Sequence, residues 1–145
     1  MSRLVSLARP ILFSCLSSCR TKKLVCDNEL MPRGFDVNGS FYNTIEQYVP
    51  TETDVIFSTT QNVNKLQWNP TGSNPEQVKV LEDGIYRLFF VCTTNNPAQF
   101  SICVNGVPDE TTTHGSNRGA SQISLRSILS LKKNDIVTVR NHTST

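Results

Sequence analysis

The sequence predicts an all-β protein, an antiparallel jelly-roll sandwich of about eight strands with an extended N-terminal arm. Short apolar runs recur from residue 41 onward, and turn signals rich in Gly, Pro, Asn or Asp separate them. No window in residues 41–145 keeps the spacing of an amphipathic helix, because Pro and Gly interrupt it too often. The leading segment differs in composition from the rest. We therefore divide the chain into an arm or connector, residues 1–40, and a jelly-roll domain, residues 41–145.

The candidate strands of the domain follow from these runs and from the turns between them. Pro50 closes the first strand, and a dense turn cluster at residues 69–75 follows the second. Asn105-Gly106 is the strongest short signal for a two-residue hairpin. A further turn at residues 133–135 precedes the last strand. In chain order, the candidate strands are residues 41–49, 54–59, 77–81, 85–93, 98–104, 122–131 and 136–140.

Two of these strands carry the predicted core. Side chains alternate between the two faces of a strand, so every second residue shares a face. In residues 85–93, the face opposite to Tyr86, Leu88 and Phe90 is also largely apolar. This predicts a central strand that is buried on both faces, and a neighbouring subunit could bury the second face. Cys103 falls on the more polar face of its strand, where a free buried thiol and a cross-subunit pair both stay open. The predicted core residues are Tyr86, Leu88, Phe90, Phe100, Ile102 and Val104.

No residues form a recognisable catalytic, metal-binding or cofactor-binding pattern. Two His and five Cys are too few and too scattered for a zinc site, and there is no Gly-rich phosphate loop. We expect His114 and His142 to be solvated, and Asp109 with Glu110 is a weak calcium signal. No apolar stretch reaches about 18 residues, so no membrane span is predicted. A net charge of +2 makes nucleic acid an unfavoured partner. We predict a non-enzymatic protein with no cofactor, metal or small-molecule substrate.

The first 30 residues form a basic leader. They hold five basic and two acidic residues, whereas residues 31–145 hold nine basic and ten acidic ones. A secretory signal would need an uninterrupted apolar core, which Arg9-Pro10 splits, while a mitochondrial transit peptide fits by composition. A disordered tail and a retained arm that pairs with another subunit are the other interpretations. Three of the five cysteines also lie in the leader: Cys15, Cys19 and Cys26.

Three segments resemble, in this order and spacing, a family of jelly-roll domains. Residues 84–91 resemble the central "Gly-x-Tyr, then alternating apolar" strand of the complement globular-head and tumour-necrosis-factor-like domains. Residues 100–108 resemble the "Val-Asn-Gly" hairpin of their bacterial relatives, and residues 127–141 resemble the segment "Leu-x-x-Gly-Asp-x-Val-x-Val-x-Asn". Asn134 stands where the family has Gly, and Asn also tolerates positive φ. In particular, residues 41–145 resemble the C-terminal domain of BclA-type spore-surface proteins of bacilli.

This resemblance implies a trimeric, non-enzymatic sandwich displayed on an extracellular surface, with the spore surface (exosporium or coat) as the expected location. In the family, further sequence with a last strand follows the segment that ends here near Ser144, so the resemblance implies a sandwich one or two strands short. An unfinished sandwich can take up a strand from a neighbouring subunit. The leader offers suitable apolar residues for this assembly arm: Ile11, Leu12, Phe13, Leu16, Leu24 and Val25.

The main hypothesis is a self-assembling fibre subunit, similar to the appendages of bacterial endospores, with its own copies as partners and other spore-surface proteins as further candidates. The arm of one subunit would dock into the next, and inter-subunit disulfides through Cys15, Cys19, Cys26 or Cys103 would lock the contact. One alternative is a closed, surface-displayed trimeric binding domain with a self-docked or disordered arm. The other is a virus-shell jelly roll with an internal arm that contacts nucleic acid through its basic residues: Arg3, Arg9, Arg20, Lys22 and Lys23.

Overall fold

The computed structural model describes residues 37–142 in full and, before them, the backbone of residues 3–5 and 11–16. Two antiparallel sheets form a sandwich, and one 3₁₀ turn, Glu110–Thr112, is the only helical element among the described residues. The prediction of an all-β antiparallel sandwich is confirmed, although the described residues form fourteen strands, several of only two residues, instead of about eight. The strands are β1 (Arg3–Val5), β2 (Ile11–Leu16), β3 (Asn38–Tyr42), β4 (Gln47–Tyr48), β5 (Thr53–Asp54), β6 (Thr59–Asn64), β7 (Leu66–Gln67), β8 (Val78–Val80), β9 (Gly84–Thr94), β10 (Ala98–Val104), β11 (Val107–Pro108), β12 (His114–Ser116), β13 (Ser121–Leu131) and β14 (Ile136–Asn141).

The first sheet is built on β9. β13 pairs with β9 along its whole length, from Ser121 opposite Thr94 to Leu131 opposite Gly84. On the other edge of β9 lie β2 and β1, at different ends of the strand. β2 pairs on its far side with β3, β3 pairs with β6, and β1 pairs with β4. The sheet therefore depends on strands from the N-terminal segment.

The second sheet is centred on β10 and β14. They pair from Phe100 opposite Asn141 to Val104 opposite Val137. β11 and β12 pair with the outer edge of β10, β8 and β5 pair with β14, and β7 pairs with β8. Because the two central strands alternate apolar and polar residues, one face of this sheet meets the first sheet and the other carries polar groups.

The core lies between the two sheets. The rings of Phe90 and Phe100 come from opposite sheets, and their centroids are 5.7 Å apart. Phe41 of β3 also contacts Trp68, which directly follows β7 of the second sheet, with ring centroids 5.3 Å apart in an edge-to-face arrangement. Val104 is half-buried, because it ends β10 beside a surface turn. The other five predicted core residues are buried: Tyr86, Leu88, Phe90, Phe100 and Ile102.

Two turns take the conformation that their residues predict. Asn105 and Gly106 both have positive φ, 52° and 81°, and they join Val104 directly to Val107 across the hairpin. Positive φ at both central residues is the type I′ geometry that matches the twist of the flanking strands. Asn134, where the resembling family has Gly, also has positive φ, 75°. A side chain that tolerates the left-handed region therefore suffices at that turn.

The region from residue 38 to residue 64 differs from the prediction. One strand was predicted over residues 41–49, but the chain bends at residues 44–45, between β3 and β4. Asn43, just before the bend, is buried, and its Oδ1 accepts a 2.7 Å hydrogen bond from the hydroxyl of Ser58, which holds this end of β3 in place. The strand predicted over residues 54–59 is instead divided between the end of β5 and the start of β6. β6 is a polar edge strand without apolar alternation, so its sequence carries no period-two signal.

Candidate assembly site

One strand position separates β3 from β9 in the first sheet, and β2 occupies it. β2 pairs with β3 from Ile11 opposite Phe41 to Ser14 opposite Asn38. It pairs with β9 from Ser14 opposite Arg87 to Leu16 opposite Ile85. In the described part of the chain, β3 and β9 have no ladder with each other. We call this position the arm slot, because backbone groups on the facing edges of two strands are paired there only through β2.

β1 extends the contact of the N-terminal segment with β9. Leu4 lies opposite Thr94 and Val5 opposite Thr93, and on its other side β1 pairs with β4. This strand was not predicted, because a run of three residues is too short to show a period. β3, which begins at Asn38, also runs across the predicted boundary between arm and domain at residue 40.

The predicted assembly arm lies partly within the slot. Four of its residues fall in β2, namely Ile11, Leu12, Phe13 and Leu16, whereas Leu24 and Val25 lie outside the described residues. Next to the slot, the side chains of Phe41 and Tyr86 are completely buried. The slot therefore adjoins the core of the sandwich, so the strand that fills it also completes the sheet above that core.

Gly39 shows how tightly β3 packs beside the slot. A Cβ atom at this position would lie 2.7 Å from Cε2 of Phe41 and 2.8 Å from Cδ1 of Leu66. Both distances are shorter than real Cβ contacts, so any side chain there would force the core to move. Gly39 lies opposite Phe13 of β2 in the ladder.

The four candidate disulfide cysteines differ in their position. Cys15 lies in β2, opposite Tyr86, while Cys19 and Cys26 lie outside the described residues. Cys103 is a free thiol with no exposed surface, and burial raises its pKa to about 11. At neutral pH this thiol is protonated and therefore a poor nucleophile. A disulfide from Cys103 to another subunit would first require the outer layer of the second sheet to open, so we do not retain this candidate.

Arg140 of β14 and Asp54 of β5 cover the outer face of the second sheet near Cys103. Nε of Arg140 donates a 2.7 Å hydrogen bond to Oδ1 of Asp54, and its Nη1 donates a 3.1 Å bond to the carbonyl oxygen of Gly106. The guanidinium thereby joins β14 to β5 and to the β10–β11 turn. This layer explains why Cys103 and Ser101 are buried although they face away from the core.

His142 is not the solvated side chain that the sequence predicts. Its Nδ1 lies 2.9 Å from Oε1 of Glu52 and its Nε2 lies 3.3 Å from Oε1 of Glu110, and only 15% of the side chain is exposed. The end of β14 runs between the turn before β5 and the 3₁₀ turn, and both supply a carboxylate. His114 is exposed, as expected. Asp109 uses its Oδ1 to accept a hydrogen bond from the backbone nitrogen of Thr111, which is an ordinary cap.

We expect His142 to make the stability of the domain depend on pH. The hydrogen bond to Glu52, with that to Glu110, raises the pKa of His142 above 6.5. Its contribution is therefore fully present below about pH 6.5, the unfolded value, and is lost as pH rises through the higher folded value. Thermal melts between pH 5.5 and 9 should show this loss in the native chain and not in His142→Gln. The difference should stay below about 1 kcal/mol, because Glu52 and Glu110 are 49% and 69% exposed. Equal pH profiles for the two chains would contradict the assignment.

Comparisons with known proteins add no assignment to this geometry. No protein-family model matches the chain, and no curated protein matches it either. Within residues 37–142, no group of three or more His, Cys, Asp or Glu side chains is arranged to hold a metal ion. None of the described residues belongs to a helix long and apolar enough to cross a membrane. The resemblance to BclA-type domains accordingly stays a prediction.

Proposed function

We propose that this protein is a non-enzymatic structural subunit that assembles into a fibre by exchanging its N-terminal strand. In the assembly, residues 11–16 of one copy fill the arm slot of the next. The observation that carries the proposal is the place of β2, which pairs on both sides in the first sheet, with β3 and with β9. A strand paired on both sides is a structural necessity for the sheet, whichever copy supplies it.

The length of the connection favours exchange. β2 and β3 are antiparallel neighbours, which a loop of two to five residues joins in most hairpins. Here β2 ends at Leu16 and β3 begins at Asn38, so 21 residues, 17–37, lie between them. When extended, a segment of that length reaches up to about 70 Å. A domain of this size has a diameter of about 35 Å. The arm therefore has ample length to reach the slot of a second subunit.

Exchange repeated in one direction gives an open polymer. Donor strand and acceptor slot are different surfaces, so each contact is heterologous, and heterologous contacts extend into filaments unless the rotation closes a ring. The bonds in the ladder are the same whether β2 docks in its own domain or in a neighbour. Concentration and the linker then decide between the self-docked and the exchanged state.

Cysteines of the N-terminal segment can make the exchanged contact permanent. Cys15 lies in β2 itself, and Cys19 and Cys26 lie in the connection between β2 and β3. A disulfide between arms or linkers of adjacent subunits would add about 2–4 kcal/mol and slow dissociation. This lock requires an oxidising exterior, which agrees with the spore-surface location that the family resemblance implies. We include that location in the proposal.

Shortening the linker tests the proposal directly. We expect a chain without residues 19–34 to be monomeric, because the five residues left between Leu16 and Asn38 permit a tight hairpin and hold the arm in its own slot. The full-length chain should form filaments in negative-stain electron microscopy, whereas the shortened chain should form none at the concentration and salt at which the full-length chain polymerises.

Two controls separate the effect of linker length from other effects of the deletion. A full-length chain with Cys19→Ser and Cys26→Ser lacks the same thiols and should still form filaments. A chain whose residues 19–34 are replaced by a Gly/Ser segment of equal length should also form them. Filaments from the shortened chain would contradict arm exchange. A species of three chain masses from both the shortened and the full-length chain would instead establish the closed trimer.

A further inference from the structure

The exposed apolar side chains of the domain are not scattered. Among residues 37–142, six large hydrophobic side chains are exposed, and five of them lie in two regions, on the paired strands β9 and β13 and around β4. The first patch includes Ile85 and Ile128, which are 44% and 59% exposed. The second contains Ile45, Tyr48 and Ile56, which are 68%, 52% and 47% exposed. Apolar residues concentrated in this way mark interaction surfaces more often than isolated ones do.

The first patch, which we call the arginine face, lies on the outer side of β9 and β13. Ile128 lies opposite Arg87, and Arg126 lies opposite Phe89. The guanidinium carbon of Arg126 sits 5.1 Å from the centroid of the Phe89 ring, which orients this side chain across the sheet. Neither strand contains an acidic residue. The salt bridges found in the described part of the chain involve other cations, so this face is apolar and positively charged.

The second patch, which we call the acidic arch, consists of residues 45–48 and Ile56. Glu46 is exposed between the apolar side chains, and it belongs to none of the salt bridges among the described residues. The amide of Gln47 holds the arch in shape. Its Nε2 donates a 2.8 Å bond to the carbonyl oxygen of Ile56, and its Oε1 accepts a 3.0 Å bond from the backbone nitrogen of Ile56. The patch is therefore preorganised, which lowers the entropy lost on binding.

The two patches lie at separate places on the subunit. In the first sheet, β4 connects to β9 only through β1, and that contact is at the Thr93–Thr94 end of β9. The arginine face is centred farther along the strand, around Arg87, and extends to the edge strand β13. A contact between the two patches therefore has to join different copies of the chain.

We propose that the arginine face of one copy docks on the acidic arch of a second copy. Both patches combine exposed apolar side chains with charged ones, and Arg87 and Arg126 of the face are opposite in sign to Glu46 of the arch. The contact is heterologous, like the arm exchange, and it adds subunits in the same direction. The inference deepens the proposed function, on which it rests for the identity of the partner, but it uses residues outside the arm and the slot.

Charge reversal in the full-length chain tests this contact. The face-reversed chain carries Arg87→Glu and Arg126→Glu, and the arch-reversed chain carries Glu46→Arg. We expect each to raise the concentration at which filaments appear by about tenfold or more, since like charges then meet across the contact. A chain with all three substitutions should return to within about threefold of the native value. Arg118→Glu, a reversal on an exposed loop outside both patches, should change nothing.

A second pair of variants guards against effects on folding. Ile45→Ser and Ile128→Ser alter exposed side chains only, and each should also raise the threshold for filaments while leaving the thermal midpoint of the monomer unchanged. The docking contact would be wrong if both reversed chains form filaments at the same concentration as the native chain. It would also be wrong if the chain with all three substitutions does not return towards the native concentration.

The shortened-linker chain distinguishes the two proposals. If arm exchange is right and the docking contact is wrong, full-length filaments persist in the reversed chains and disappear with the shortened linker. If docking is right and arm exchange is wrong, the shortened chain still forms filaments at the concentration at which the full-length chain does. That association should weaken as salt screens the charges, and the reversed patches should abolish it.

Discussion

A chain that begins at Val37 should be largely unfolded or aggregated under conditions in which the full-length chain is folded. Without residues 1–36, β9 loses both β1 and β2, and β3 loses its partner towards the centre of the sheet. Each lost backbone hydrogen bond is worth about 0.5–1.5 kcal/mol, and β2 also completes the sheet above the core. Together these losses approach the whole stability of a typical domain, about 5–15 kcal/mol. Circular dichroism and urea unfolding measure the effect.

A peptide supplied separately should restore the chain that begins at Val37. A peptide of residues 1–16 with Cys15→Ser contains both N-terminal strands and can fill the slot without a covalent link. At about 100 times its Kd it should stabilise the domain by about 2.7 kcal/mol. The matched control carries Phe13→Pro as well, because proline removes a ladder donor in a strand that is paired on both sides.

Two results would contradict the arm slot. One is a chain beginning at Val37 whose free energy of unfolding lies within about 1 kcal/mol of the full-length value. The other is an equal effect of the native peptide and its Phe13→Pro control. Because the peptide acts between molecules, its binding would also establish that the slot accepts a strand from elsewhere, which the fibre requires.

We expect Phe100→Ala to have the second-largest effect, a loss of about 3–5 kcal/mol in the free energy of unfolding. Phe100 has no exposed surface, and its ring lies 5.7 Å from that of Phe90 in the facing sheet. The substitution leaves a cavity where the two sheets meet. Val107→Ala, at a side chain 68% exposed in the neighbouring hairpin, should stay within about 0.5 kcal/mol of the native chain. A similar effect of the two substitutions in urea unfolding would show that the contact between the sheets is misassigned.

The long strands of the domain could be predicted closely, and the reason is local. β10 has the predicted bounds, and β13 begins one residue earlier than predicted. Tyr86, Leu88 and Phe90 alternate with residues of the other face, and that alternation alone places them in the core. Asn105-Gly106 specifies its turn because its two residues tolerate positive φ.

Short and polar elements could not be predicted. β6 is an exposed, polar strand at the edge of its sheet, and β5 has only two residues, so neither shows an apolar period. The partial burial of His142 also has no local signal. It depends on Glu52 and Glu110, which lie 90 and 32 residues away and approach only when β14 closes the second sheet.

The sequence identified most residues of the strand that fills the arm slot, but it did not identify the strands between which they pair. The apolar residues of 11–16 identified a segment able to form a strand, and four of the six predicted arm residues lie in that strand. Nothing in the sequence indicated that Ser14 would lie opposite both Asn38 and Arg87. For Cys103, alternation indicated the polar face, but the layer of Arg140 and Asp54 that buries it comes from distant segments.

The all-β class, the Asn105-Gly106 turn and the inner faces of the long strands follow from local sequence, because each depends on residues adjacent in the chain. The order of the strands, the position of the arm and the contacts between charged groups are visible only in the folded chain. Those outcomes depend on pairing between residues as far apart as Ser14 and Arg87. Such pairing arises when two sheets close over one core. Alternation along a strand does not specify it, because the two-residue period of a strand is the same beside any neighbouring strand.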